Sequence, residues 1–196
     1  MRSILIIGLG RFGRHLAFDF MDLKDEVMVI DKDERAVNRV SSSVTSAQIG
    51  DCTDENVLRS IGVANFDRCF VCISSDFQAS LEITSLLSDL GADYIISKTD
   101  RDIHGKFLLR NGATEVIYPE KDIALRTAMK YVSAETFDFI ELTKEYAILE
   151  TATPKRWLGK TIRVINVRAS YNLNVIAYKR DGVISPMVDS EYVFCA

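Results

Sequence analysis

Three glycines near the N-terminus, Gly8, Gly10 and Gly13, have the spacing of a loop that holds a diphosphate. They follow an apolar run and precede an amphipathic stretch, which predicts a strand, a tight turn and a helix. In such a loop the first glycine permits the turn, the second lets phosphate approach the backbone, and the third lets the helix pack on the strand. The helix N-terminus then offers free N–H groups to phosphate. We therefore predict a nucleotide site at residues 8–13.

Two carboxylates lie where the sugar and the base of such a nucleotide are expected. Asp31 ends the second predicted strand, 18 residues after the last glycine, where a carboxylate accepts both ribose hydroxyls. A 2′-phosphate would meet like charge there, which disfavours NADP. Asp51 and Cys52 follow the third predicted strand, near the expected adenine. Asp51 is a candidate for the adenine amino group, and the same loop is a candidate helix N-cap through Thr53 or Asp54; both roles remain open.

Positive charge accompanies the predicted phosphate site. Arg11 lies in the first helical turn, where a guanidinium grips a terminal phosphate bidentately; the alternative is a solvated surface arginine. Lys98 closes the fifth predicted strand and would add a second cation at the crevice. Three neighbouring positions complete the candidate set: Phe12, Lys32 and Ser74.

The residues that a dehydrogenase needs for proton transfer are missing from this pattern. Tyr94 and Lys98 have the spacing of the short-chain dehydrogenase pair, but that pair needs a helix and this segment predicts a strand. His15 and His104 have no Ser or Cys partner at a catalytic spacing. We predict that the protein is not an enzyme, with a fragment of an NAD-dependent oxidoreductase as an alternative.

A C-x-x-C motif, Cys69 and Cys72, also suggests a redox or zinc site at first sight. Both residues lie in a buried-strand pattern, in which positions three apart point to opposite faces. They are therefore predicted to pack in the core. Cys52 and Cys195 have no recognisable spacing to any partner.

The elements that position these residues alternate along the first two thirds of the chain. Strands that are apolar nearly throughout, separated by helices, predict a parallel sheet covered on both faces. Gly62, Gly91 and Gly112 follow helical stretches as left-handed caps. The predicted fold is α/β, a Rossmann-type, doubly wound, parallel six-stranded sheet. Its strands are predicted at 3–8, 26–31, 45–50, 67–74, 93–97 and 114–118, and its helices near 11–23, 33–41, 54–61, 76–90 and 101–111.

The pattern changes after a helix that opens at Pro119 and runs to about 132, with acids in its first turn. From about 133 the chain is strand-rich, and residues 180–182 suit a hairpin turn. We predict a boundary near 134, which gives a nucleotide-binding domain at 1–134 and a smaller α+β lobe at 135–196. The strands of that lobe are predicted at 137–142, 147–153, 174–179 and 182–187.

Composition excludes several classes of function. A net charge of -4 and a pI of 5.3 give no basic field for a nucleic-acid backbone, so we expect no nucleic-acid partner. No apolar run reaches the ~18 residues that span a bilayer, and no signal-peptide pattern precedes the first strand. We therefore expect a cytoplasmic protein. At 196 residues the chain is also short for a two-domain dehydrogenase.

Taken together, several motifs resemble the RCK (TrkA-N/TrkA-C) domains that regulate potassium transport, and in particular the KtrA-type regulatory subunits of Ktr uptake systems. The resemblance extends from residue 3 to about 190. The motifs that carry it are Ile-Gly-Leu-Gly-Arg-Phe-Gly at 7–13, Asp31, Gly-Asp-x-Thr-Asp at 50–54 and Tyr-Pro-Glu-Lys-Asp at 118–122. It implies a homo-oligomer, with dimers assembling into an octameric ring, bound to a membrane pore subunit at the inner face of the cell membrane.

The same resemblance implies the ligands. Members like this one bind ATP and ADP, and by this resemblance Arg11 contacts the γ-phosphate of its own or of the neighbouring subunit's ATP, and Glu120 helps to hold Mg²⁺ or Ca²⁺ at the dimer interface. The residues alone indicate for Glu120 only an acid that complements a helix dipole. Trk-type relatives bind NAD and NADH, which remain the alternative ligands; Arg11 and Glu120 favour ATP and ADP.

The C-terminal stretch 160–169 resembles the start of the family's C-lobe, which in several members binds cyclic di-AMP at a dimer interface. Arg168 is suited to phosphate, whereas Arg163 stands where an aliphatic residue is usual and argues against this ligand. The family's C-lobe normally continues with another strand and helix, so we expect a truncated or atypical lobe. The matching positions are Ile162, Arg168, Ala169, Val175 and Pro186.

Overall fold

The computed structural model describes residues 1–131, 136–143 and 145–195. The chain forms two compact units, Met1–Ala124 and Leu125–Ala196. The predicted boundary near 134 lies outside the described residues and stays a prediction.

The first unit contains the predicted parallel sheet. Its six strands pair in the order β3-β2-β1-β4-β5-β6, every neighbouring pair being parallel, which confirms the doubly wound fold. Strands β2 and β3 are added on one side of β1, and β4, β5 and β6 are added on the other. The strand order therefore changes direction between β1 and β4, and α/β folds bind their ligands at such a point. The strands are β1 Ser3–Ile7, β2 Glu26–Asp31, β3 Ser46–Ile49, β4 Arg68–Val71, β5 Ile95–Lys98 and β6 Glu115–Ile117.

Helices connect these strands as the sequence pattern predicts. The second helix is shorter than predicted: it ends at Asn38, and a separate 3₁₀ turn follows at Ser41–Ser43 because the run of serines favours local turns over a helix. Gly62 ends the third helix with φ 71°, a left-handed conformation that glycine adopts without strain. The helices are α1 Arg11–Asp22, α2 Glu34–Asn38, α3 Glu55–Ile61, α4 Phe77–Asp89, α5 Asp102–Arg110 and α6 Pro119–Lys130.

Buried side chains form one cluster on each face of the sheet. Successive residues of β1 alternate between them: Leu5 belongs to one cluster, and Ile4 belongs to the other. Cys69 lies in the first cluster and Cys72 in the second, and both are buried. The prediction that this C-x-x-C motif packs in the core, rather than forming a redox or metal site, is confirmed.

The second unit is smaller. β7 Thr136–Glu141 pairs with β8 Ala147–Thr151, and a second antiparallel hairpin follows two short helices. Asp181 and Gly182, within the turn predicted at 180–182, join the two strands with φ values of 51° and 81°, as a two-residue hairpin turn requires. Its strands are shorter than predicted. The later elements are α7 Ile162–Ile165, α8 Val167–Tyr171, β9 Tyr178–Arg180 and β10 Val183–Ser185.

Within residues 1–131, 136–143 and 145–195, none of the helices combines the length and the apolar character that a membrane crossing demands.

Candidate functional site

A cleft of about 910 Å³ lies at the carboxyl edge of the parallel strands in the first unit. Its walls come from the carboxyl ends of the first five strands or the loops that follow them, and from residues of α1, α4 and α6. These segments are far apart in sequence, and the parallel sheet brings them to one edge. Of the predicted site residues, the following line this cleft: Gly8, Gly10, Arg11, Phe12, Asp31, Lys32, Asp51, Cys52, Ser74, Lys98 and Glu120.

Other lining residues were missed by the sequence analysis. Ser75 and Asp76 follow β4 directly, and the rule that ligands bind beyond the carboxyl ends of strands would have identified them. Apolar residues such as Ile30 carry no such signal, because their pattern is that of any core strand. The missed residues are Ile7, Ile30, Gly50, Thr53, Cys72, Ile73, Ser75, Asp76, Ala79 and Ile83.

The three glycines of the motif have different surroundings. Gly8 has φ 96°, and a Cβ there would lie 2.8 Å from the Ile73 Cγ1 atom. A Cβ on Gly10 would have no neighbour within 4 Å, so the space beside its backbone is open. A Cβ on Gly13 would overlap the Gly8 carbonyl oxygen. Gly10 therefore faces the open cleft, whereas Gly13 allows α1 to pack closely on the loop.

The N-terminus of α1 is left without a side-chain cap. Asp33, Asp54 and Asp76 cap α2, α3 and α4, each accepting a backbone N–H of the first turn at 2.9 to 3.0 Å. At α1 the N-cap is Gly10, which has no side chain, and the first turn holds no acid. The free N–H groups and the positive end of the helix dipole make this a suitable site for an anion.

Asp31 is placed at the end of β2, beside the glycine loop. Its Oδ2 accepts the N–H of Leu9 at 2.6 Å, and its Oδ1 accepts the N–H of Asp33 at 2.8 Å. A carboxylate has about four acceptor positions, so Asp31 retains capacity for ribose hydroxyls.

The loop after β3 is held by Asp51. Its Oδ1 accepts the Thr53 backbone N–H at 3.0 Å and the Thr53 hydroxyl at 2.8 Å, and these bonds hold the pKa of Asp51 below its usual range. Asp54, rather than Thr53, caps the following helix. Burial raises the pKa of the Cys52 thiol to about 12, so this residue lines the cleft as a neutral group.

Lys98 and Glu120 form an ion pair at the cleft. The Lys98 Nζ donates to the Glu120 Oε1 at 2.8 Å. The Lys98 side chain is 11% exposed, whereas the Glu120 side chain is 67% exposed. The hydrogen bond from Lys98 lowers the pKa of Glu120, with a smaller contribution from the charge of Arg11. The Lys98 Nζ also lies 5.7 Å from the centre of the Phe12 ring. Arg11, Lys98 and Glu120 thus form one charged cluster.

This cluster is not a complete metal site. In the described part of the chain, no three His, Cys, Asp or Glu side chains are grouped closely enough to hold a metal ion. Glu120 offers one exposed carboxylate, which fits a divalent cation only if other oxygen ligands, such as those of phosphates, complete the coordination.

The residues with a dehydrogenase-like spacing do not form a catalytic pair. Tyr94 donates its hydroxyl to Glu115 at 3.1 Å, and the Arg68 guanidinium lies 4.1 Å from its ring centre. Tyr94 precedes β5 and Lys98 ends it, so the predicted strand is confirmed. Each of these side chains has a partner unrelated to the other.

The C-terminal candidates lie in the second unit. Ile162 and Val175 pack against the cluster around Trp157. Arg168 and Ala169 are exposed on α8, and Pro186 is exposed after β10. The structure therefore brings Ile162 and Val175 to one cluster and leaves the other three at the surface.

Sequence comparison relates the chain to transport proteins. The TrkA-N domain family matches residues 4–119. Ktr system potassium uptake protein C of Bacillus subtilis (strain 168) is 37% identical over 188 residues, which cover 95% of this chain and 85% of the relative. Ktr system potassium uptake protein A of the same strain is 35% identical over 183 residues, which cover 93% of this chain and 82% of that protein.

Solved structures support the fold. The GsuK channel bound to NAD superimposes with a TM-score of 0.71 at 20% identity, covering 100% of this chain and 36% of that one. The GsuK structure bound to ADP gives a TM-score of 0.54 at 22% identity, covering 60% of this chain and 31% of that one.

Proposed function

Because this chain belongs to the TrkA-N domain family, as do the RCK regulators, we propose that it is the nucleotide-binding regulatory subunit of a potassium uptake system. The two Bacillus subtilis relatives are potassium uptake proteins, in agreement with the prediction that the chain is not an enzyme. The observation that carries the proposal is the cleft, in which the uncapped N-terminus of α1 is accompanied by the two cations Arg11 and Lys98.

We propose ATP and ADP as the ligands. The open space at Gly10 supports a phosphate there, and the position of Asp31 in the same cleft supports a role in holding the ribose. Arg11 and Lys98 match the extra negative charge of a terminal phosphate better than the two singly charged phosphates of NAD. NAD and NADH remain the second candidate ligands, because one related GsuK structure holds NAD and another holds ADP.

A divalent cation, Mg²⁺ or Ca²⁺, is proposed at Glu120. The Glu120 side chain is exposed at the cleft, and the positive charge of Arg11 contributes to lowering its pKa. A phosphate would supply the additional oxygens that Mg²⁺ and Ca²⁺ require. The cation would then depend on the nucleotide for most of its ligands.

Regulation follows from differential binding. A ligand shifts a conformational equilibrium only by the difference in its affinity for the two states. ATP and ADP differ by one phosphate, and Arg11, Lys98 and Glu120 are the charged groups placed to detect it. We propose that this difference changes the shape of an octameric ring, assembled from dimers and bound to a pore subunit at the inner face of the membrane.

The C-terminal region, residues 135–196, is proposed to be an RCK C-lobe, joined to the nucleotide-binding domain near 134. Cyclic di-AMP is its proposed ligand, bound through Arg168 together with Ile162, Ala169, Val175 and Pro186. Arg168 is exposed on α8 and free to meet a phosphate at an interface. Arg163, in contrast, is paired with Glu191 at 2.8 Å.

A ligand screen on the purified 196-residue chain tests these assignments. Thermal unfolding is measured with ATP, ADP, NAD, NADH and cyclic di-AMP, each with EDTA, Mg²⁺ or Ca²⁺. A ligand at 100 times its Kd stabilises by about 2.7 kcal/mol, which gives a clear increase in Tm. ATP and ADP are expected to raise the Tm. A preference for NAD would favour the Trk-type alternative, and no response to any adenine nucleotide would overturn the proposal.

Two matched arginine variants separate the sites. Arg11→Ala is expected to reduce the response to ATP and to retain that to cyclic di-AMP, and Arg168→Ala is expected to do the reverse. Light scattering on the ATP complex tests the ring, since an octamer of the 22.0 kDa chain is readily distinguished from a dimer. A dimer at all concentrations would contradict the proposed assembly.

A further inference from the structure

The ion pair between Lys98 and Glu120 is unequal in its exposure to water. In the part of the chain that the structure describes, Lys98 is the one lysine or arginine classed as buried. Its partner Glu120 is two-thirds exposed. A buried ammonium needs a counter-charge, because its loss of hydration is otherwise uncompensated. An exposed carboxylate is free to leave, because water solvates it at little cost.

The ammonium also lies in the cleft in which the phosphate is proposed to bind. Lys98 ends β5 and lines the same cleft as Gly10 and Arg11. Its Nζ stands over the ring of Phe12, in the first turn of α1, at a distance typical of a cation–π contact. The cation is therefore fixed from the α1 side, independently of Glu120.

A phosphate is the stronger partner for this cation. An ammonium has three N–H donors, and Lys98 makes its described side-chain hydrogen bond, to Glu120, with one of them. A terminal phosphate carries up to two negative charges and three acceptor oxygens, whereas a carboxylate carries one charge. Since Lys98 is buried and Glu120 is not, the exchange moves the exposed group and leaves the buried one in place.

We propose that Lys98 exchanges partners on ligand binding, leaving the Glu120 carboxylate for a phosphate of the bound nucleotide. In the free protein Glu120 is paired with the Lys98 ammonium that the phosphate would bind, and so it competes with the ligand. In the bound protein the phosphate takes Lys98, and the carboxylate becomes available at the mouth of the cleft. This inference rests on the proposed nucleotide site and adds a role in ligand selection for Lys98.

The exchange predicts that one substitution in the binding site increases the affinity for the ligand, whereas such substitutions usually decrease it. EDTA removes divalent cations, so any role of Glu120 as a cation ligand does not contribute to the affinity measured in its presence. Under that condition Glu120→Gln is expected to tighten ATP binding several-fold, because it removes the competitor. Lys98→Met is expected to weaken ATP binding roughly tenfold, the loss typical of one charge-assisted hydrogen bond.

The double variant distinguishes exchange from simple charge repulsion. If Glu120 competes for Lys98, then Glu120→Gln tightens ATP binding in the wild-type background and has little effect in the Lys98→Met background. If Glu120 only repels the phosphate, both backgrounds show the same gain. Isothermal titration calorimetry of the four proteins, with Lys106→Met as an exposed-lysine control, measures this coupling.

Each result has one interpretation. Equal effects of Glu120→Gln in the two backgrounds, or a weaker binding of ATP by Glu120→Gln, would overturn the exchange and leave the nucleotide site standing. Absence of ATP binding by the wild-type protein would instead overturn the proposed function. Thermal unfolding of each variant without ligand verifies that all four proteins fold, since Lys98→Met replaces a buried charge with an apolar side chain of similar length.

Discussion

The Asp31 carboxylate accepts the backbone N–H of Leu9 at 2.6 Å and thereby joins the end of β2 to the glycine loop that follows β1. Leu9 is 2% exposed, so water does not replace this acceptor. A residue predicted to hold the ribose therefore also fixes the loop that is predicted to hold the phosphates. Binding and folding are coupled through one side chain.

Asp31→Ala is expected to lower the free energy of unfolding by about 1–3 kcal/mol, the cost of leaving a buried donor unpaired, and to abolish nucleotide binding as well. Urea denaturation measures the first effect and calorimetry the second. The exposed Asp93→Ala serves as the control and should stay within about 0.5 kcal/mol of wild type. Wild-type stability in Asp31→Ala would show that the Leu9 bond contributes nothing to the fold.

The second and third glycines of the motif, Gly10 and Gly13, give opposite predictions for substitution by alanine. Gly10→Ala has open space and a φ of -58°, so its Tm should equal or slightly exceed that of wild type while phosphate is blocked. Gly13→Ala would collide with the Gly8 carbonyl, so its Tm should fall sharply or the protein should not fold. Thermal unfolding and ATP titration check both; a destabilised Gly10→Ala would contradict the assignment of open space there.

Arg11→Ala is expected to weaken ATP binding by roughly tenfold or more, the effect of losing a charge-assisted hydrogen bond to the terminal phosphate, and to weaken ADP binding less. Calorimetry with both nucleotides in Mg²⁺ gives the comparison. Arg39→Ala, on the exposed end of α2, is the matched control. Equal losses for ATP and ADP would exclude Arg11 as the residue that senses the third phosphate.

Because the His104 side chain is buried, we expect the protein to lose stability in mild acid. Its ring is fully buried in α5, 4.6 Å from the ring of Phe77, and neither nitrogen has a partner among the described residues. Burial makes the largest contribution to lowering the pKa of His104, and the positive charge of Arg101 makes the next largest. Since the unfolded histidine titrates near a pKa of about 6.5, stability should be full above that pH and fall as the pH drops below it.

Denaturation at pH 8 and at pH 5 tests this expectation. His104→Leu should reduce the stability difference between the two pH values, because the leucine cannot be protonated. The other histidine of the sequence, His15, is exposed, so His15→Gln should leave the difference unchanged. A pH dependence that survives in His104→Leu would assign it to other groups.

Thiol labelling is expected to distinguish Cys195 from the other cysteines. Burial raises the pKa of Cys52, Cys69 and Cys72 to about 12, whereas Cys195 is exposed. Ellman's reagent at pH 8 should therefore react rapidly with one of the four thiols of the native chain and with all four in guanidinium chloride. Cys195→Ser should remove the rapid phase; a rapid reaction in that variant would show that the sheet opens at the cleft.

Local pattern determined most of the first unit. Apolar runs of strand length and glycine spacing predicted the six parallel strands, the loop at residues 8–13 and the carboxylate that ends β2. The opposite faces of Cys69 and Cys72 also followed, because side chains alternate along any strand. These features depend on neighbours in sequence, which is why the sequence is sufficient for them.

Other features were decided only by tertiary packing. Lys98 and Glu120 are 22 residues apart, and no periodicity links them; they meet because β5 and α6 reach the same edge of the sheet. The bond from Leu9 to Asp31 likewise spans 22 residues and required β1 and β2 to be adjacent. Residue types identified the charges, but burial of one partner and exposure of the other arise from the packed structure, and that asymmetry sets which group can move.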